Sequence, residues 1–83
     1  MRLKISDHAM IRYRERISGK TDYKQIKKQV AGKLQSQLRI GLDAISPGCF
    51  LLEVFPDMLA VLTIDTGGYW VVLTFYRGDE LTG

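Results

Sequence analysis

The stretch YWVVLTFYR, residues 69–77, decides the fold. It is built of β-branched and aromatic residues, the types that suit a pleated and partly buried surface, so it reads as a strand. Strict alternation places Tyr69, Val71, Leu73 and Phe75 on one side and Trp70, Val72, Thr74 and Tyr76 on the other. The first set reads as core. The second set carries the polar atoms, so its face is expected to be partly open, with Trp70, Thr74 and Tyr76 suited to plain packing or to stacking on bases.

Upstream, CFLLEVF (49–55) and MLAVLTID (58–65) have the same texture, and PD and TGG separate the runs. Connections this short force consecutive strands to pair antiparallel. LDAIS, before Pro47 and Gly48, predicts a short fourth strand. Before Gly41 the period changes from two to that of a helix. Asp22 caps a helix over about 22–40, with Gln25 as its capping-box partner and a stripe of Tyr23, Ile26, Val30, Leu34 and Leu38. Gly41 suits its end, and Gly32 in its middle suggests a close approach to another element. Ser6 or Asp7 caps an earlier helix over about 7–18, whose apolar arc is Ala9, Met10, Tyr13 and Ile17.

The expected fold is α+β, a single domain over 1–83 with both helices covering one face of a three- or four-stranded antiparallel sheet. With 46% hydrophobic residues and two prolines, the chain has the composition of a folded protein. No apolar run approaches the roughly 20 residues that cross a bilayer, and MRLKISDH lacks the apolar core of a signal peptide. A cytoplasmic protein without a membrane is the expectation. The one cysteine, Cys49, reads as a small buried hydrophobe, and no Cys/His spacing suggests a metal or cofactor.

Charge is divided along the chain. Residues 1–41 hold eleven Lys/Arg against three acids, whereas residues 42–83 hold Arg77 against six. A basic half facing phosphates or an acidic protein is one implication, and a pair of solvated helices is the other. Lys20, Lys24, Lys27 and Lys28 are the candidate nucleic-acid contacts.

On the first helix, Arg12, Glu15 and Arg16 fall within about 80° of His8 by the 100° step, away from the apolar arc. His8 sits in the first turn, where the helix dipole favours the neutral ring that a general base requires. Two arginines one turn apart offer planar donors to a phosphodiester and its transition state, and Glu15 can hold either His8 or an arginine. These are the parts of metal-free RNA cleavage, and equally of an ordinary surface helix with supporting i, i+3 and i+4 pairs.

The pattern S-x-H-A-x-x-R-x-x-E-R, present as Ser6, His8, Ala9, Arg12, Glu15 and Arg16, resembles the first helix of small bacterial and phage domains grouped with the barnase, EndoU, colicin and RelE-like ribonuclease fold. The closing VVLTFYR (71–77) resembles their last strand, where a Thr-x-Tyr pair is common. The resemblance implies a RelE- or barnase-like sheet and a ribonuclease without a metal, often a toxin held by an antitoxin. His8, Arg12, Arg16, Thr74 and Tyr76 are its catalytic candidates, with Glu15 in support. The alternative expectation is a non-catalytic phage or mobile-element protein that binds nucleic acid or an acidic surface through its basic helices. A homodimer joined through the sheet is a third.

Overall fold

In the computed structural model, which describes residues 2–16, 22–56 and 58–78, the chain runs β1 (Leu3–Ile5), α1 (Asp7–Arg16), α2 (Tyr23–Ile40), β2 (Asp43–Ser46), β3 (Cys49–Phe55), β4 (Met58–Ile64) and β5 (Trp70–Arg77). One five-stranded sheet has the order β1-β5-β4-β3-β2. Strands β2 to β5 form the expected antiparallel meander, and LDAIS supplies β2.

The expected three- or four-stranded antiparallel sheet is corrected by β1. It lies parallel to β5, with Leu3 opposite Trp70 and Ile5 opposite Val72, so the sheet is mixed and differs from the RelE/barnase description. Three residues carry too little periodicity to announce a strand. Leu3 and Ile5 are nevertheless buried and Lys4 exposed, which is the alternation of a strand with one covered face.

Both helices pack on the same side. Ala9, Met10 and Tyr13 of α1 and Ile26, Val30 and Leu34 of α2 join Leu52, Val54, Ala60, Leu62, Val72 and Phe75 in one core. Ile17 and Ser18, expected in the first helix, lie outside the described residues. Helix α2 starts at Asp22, whose side chain accepts the Lys24 N–H at 3.2 Å. It ends at Gly41, φ +127°, whose N–H donates to the Gln37 carbonyl at 2.8 Å. Its apolar stripe is buried only in the middle, since Tyr23 is 39% exposed and Leu38 45%. Gly32 marks no close approach, because a Cβ there would meet nothing within 4 Å.

A bulge in β5 overturns part of the expected alternation. Val61 pairs with Thr74 and the next residue, Leu62, pairs with Val72, which leaves Leu73 as an extra residue. The phase reverses there. Val72 and Phe75, three apart, are both fully buried against the helices, while Leu73 is 37% exposed. Phe75, Thr74 and Tyr76 keep their expected sides, but ahead of the bulge Trp70 faces the helices, packing edge-on against Phe50 at 5.5 Å, and Val71 faces away.

The uncovered face is lined by the cross-strand rows Glu53–Leu59–Tyr76, Asp43–Leu51–Val61–Thr74 and Cys49–Thr63–Val71–Lys4. Cys49 is therefore half-buried on this face and not a core residue. The bulge gives a direct test. Leu62→Ala should lower the unfolding free energy by about 2–5 kcal/mol, and Leu73→Ala by at most about 1, in denaturant titrations. An unbulged strand would make the two costs alike.

Candidate functional site

Strand β5 is covered on one edge by β1 only as far as Val72. From that point its carbonyls face α1, and Ser6, just ahead of the helix, and Arg16, at its end, satisfy them. The Ser6 N–H donates to the Val72 carbonyl at 3.0 Å, and Ser6 Oγ donates to that of Leu73 at 3.1 Å. Arg16 Nη1 donates to the Phe75 carbonyl at 2.9 Å. Ser6 also accepts the Ala9 N–H at 3.1 Å, so of the two candidates it is the N-cap of α1. One serine thus starts the helix and fixes it to the sheet.

Tyr13 secures the same junction from inside, meeting Phe75 edge to face with centroids 5.3 Å apart. Arg16, one turn further, reaches the rim of the sheet, where its guanidinium carbon lies 5.4 Å from the centre of the Tyr76 ring. Tyr76 and Thr74 both point to the uncovered face, next to each other on alternate positions of β5. Arg16, Tyr76 and Thr74 are therefore brought together.

Glu15 pairs with Arg12 at 3.0 Å, resolving which partner it holds. Both side chains are well exposed, and such a pair contributes a few tenths of a kcal/mol. His8 is exposed, and among the described residues no hydrogen bond or ion pair joins it to Thr74, Tyr76 or either arginine. The rise of 1.5 Å per residue puts it about 6 Å from Arg12 and about 12 Å from Arg16 along the helix axis. A bound strand would have to span that interval to meet all three.

The expected lysines do not gather here. Lys20 lies outside the described residues. Lys24 and Lys28 are exposed and Lys27 half-buried on α2, in the helical layer. Lys28 and Lys33 line a groove with Val54 and Phe55 of β3, two strands away from β5.

The sequence did not single out a second cluster, at the other end of β5. Lys4 Nζ lies 4.4 Å from the centre of the Tyr69 ring, and the Arg2 guanidinium carbon 5.6 Å from it. Lys4 also pairs with Asp65 at 3.2 Å. Asp65 Oδ1 accepts the N–H groups of Gly67 and Tyr69, each at 2.9 Å, and so shapes the turn before β5. The alternation of Arg2, Leu3, Lys4 and Ile5 was the available signal. Among the described residues, no three His, Cys, Asp or Glu side chains gather to hold a metal, and no helix is long and apolar enough to cross a membrane.

Comparison with protein-family models, curated proteins and solved structures finds no match to this chain.

The Asp65 carboxyl is held below its ordinary value of 3.8, chiefly by the Tyr69 N–H; partial burial opposes this, and Lys4 and the Gly67 N–H add to it. A depressed carboxylate stabilises the fold above its unfolded value and loses that contribution as pH falls through its folded one. Asp65→Asn should therefore melt below wild type at pH 6, and the two should converge as the pH drops below about 4. A gap that persists at pH 2 would assign the effect to something other than the charge.

Proposed function

We propose that the protein is a metal-independent endoribonuclease that works at the junction of α1 and β5. The observation that carries the proposal is Arg16, which is tied to the Phe75 carbonyl and set over Tyr76 at the rim of an uncovered sheet face. An arginine pre-positioned in this way can meet a phosphodiester without first losing side-chain freedom.

RNA supplies its own nucleophile, so the chain has to provide a base, cations and an acid. His8 would take the proton of a 2′-hydroxyl once bound RNA draws its ring and the Arg16–Tyr76 pair, about 12 Å apart along the helix axis in the free chain, onto one phosphodiester, and the resulting 2′-oxygen attacks the adjacent phosphorus. Arg12 and Arg16 stabilise the extra negative charge of the pentavalent phosphate. The bond to the 5′-oxygen breaks, and Tyr76 delivers a proton to that leaving oxygen, with Thr74 donating to a non-bridging oxygen. The products are a 2′,3′-cyclic phosphate and a 5′-hydroxyl. Glu15 keeps Arg12 extended along the helix until RNA binds. In this reading the protein acts as a toxin, and an antitoxin of acidic character would silence it by covering the basic rim.

A second reading is favoured by the exposed lysines of α2 and the groove they line. In it the chain binds nucleic acid or an acidic surface without turnover.

Incubation of purified protein with single-stranded RNA in EDTA separates the two. Cleavage to cyclic-phosphate ends is expected, reduced about 10²–10³-fold in Arg16→Ala and 10²–10⁴-fold in His8→Ala. Binding without cleavage, weakened by Lys24→Ala and Lys28→Ala but unchanged by Arg16→Ala, would replace this reading with the second.

A further inference from the structure

Strand β5 has a cation and a tyrosine at each end. At its close stands Tyr76 with Arg16, and just before its start stands Tyr69 with Arg2 and Lys4. Lys4 belongs to the row Lys4–Val71–Thr63–Cys49, so this second pair borders the same uncovered face as Thr74 and Tyr76. Among the described residues, the face between the two stations offers Val71, Thr63, Thr74 and the partly exposed Leu73, without a carboxylate. Among the described residues of the sheet, the carboxylates of this face are Asp43 and Glu53, on β2 and β3 beyond β4. Asp65 is the exception near the strip, and its pairing with Lys4 leaves one net positive charge among Arg2, Lys4 and Asp65.

We infer that Arg2, Lys4 and Tyr69 form a substrate-anchoring subsite for single-stranded RNA, which runs along β5 from Tyr69 to the α1 junction. This inference deepens the ribonuclease reading and rests on it. A tyrosine ring stacks on any unpaired base, and a neighbouring cation takes the phosphate beside it. Seven residue steps separate the two tyrosines, about 20 Å once the bulge shortens the run. That matches roughly four extended nucleotides, the low end of single-strand site sizes. A base-paired duplex would hide the faces that both rings would stack on, so the strip selects unpaired RNA.

Fluorescence anisotropy with labelled 2′-fluoro RNA, which lacks the attacking hydroxyl, measures binding apart from cleavage. An eight-nucleotide strand should bind wild type well above a two-nucleotide one. Tyr69→Leu should weaken the longer strand roughly ten-fold. Arg2→Ala, which touches no buried group, should weaken it several-fold and lower the slope of log K against log salt by about one. Neither change should affect the short strand at the Arg16 end. The paired control Lys27→Ala with Lys28→Ala should leave binding unchanged.

Unchanged binding of the longer strand in Arg2→Ala would overturn the subsite, as would an equal loss in the α2 control. Neither result would touch the cleavage assay on unmodified RNA. Failure of that assay with the anisotropy pattern intact would instead remove the catalytic reading and leave a single-strand binding face.

Discussion

Tyr13 packs edge-on against Phe75, and that contact seats α1, and with it Arg16, beside the strand that carries Thr74 and Tyr76. It holds α1 along the half of β5 that β1 leaves unpaired. An exposed strand edge there would present bare carbonyls, each costly if buried without a partner. Ser6 and Arg16 resolve this by donating to Leu73 and Phe75. The helix thereby acts as a cover for the edge, and its last turn delivers a guanidinium to a face that the helices otherwise leave open. Arg16 thus has a structural and a proposed chemical part at once: the hydrogen bond that fixes it also aims it.

The division of charge along the chain becomes a division across the sheet. Strands β1 and β5 with α1 carry Arg2, Lys4, Arg12 and Arg16, while the uncovered face of β2 and β3 carries Asp43 and Glu53. On the proposed reading, a polyanion approaching this face would be drawn to the β5 side and repelled from the other, and the acidic residues of β2 and β3 would orient it. The α2 lysines stand in the opposite layer. On the same face Leu51, Leu59 and Val71 are half-buried and Val61 is buried, so its apolar side chains shield one another within the sheet.

Much of this architecture was legible in the residues because its signals are long. Eighteen residues of α2 with a cap at Asp22, and strands bounded by Pro and Gly, leave few alternatives. What escaped was short or relational. Strand β1 is three residues long and pairs with a partner far along the chain, so no local pattern marks it. The bulge at Leu73 escaped because both alternate sets of β5 are apolar up to that residue, so the strand by itself does not say which set faces the core. Within the site, helix spacing did put His8, Arg12, Glu15 and Arg16 on one side, and Glu15 did take an arginine. The bond from Arg16 to the Phe75 carbonyl could not be read, since it depends on how α1 lies across an edge. The cluster of Arg2, Lys4 and Tyr69 escaped for the same reason as β1.

Titrating a short 2′-fluoro RNA into isotope-labelled protein and following each amide by NMR tests the central claim most directly. The account predicts shifts along β5 from Tyr69 to Tyr76, in Lys4, and at the Arg12–Arg16 end of α1, with α2 silent. Shifts confined to Lys24, Lys28 and their neighbours on α2 would contradict it.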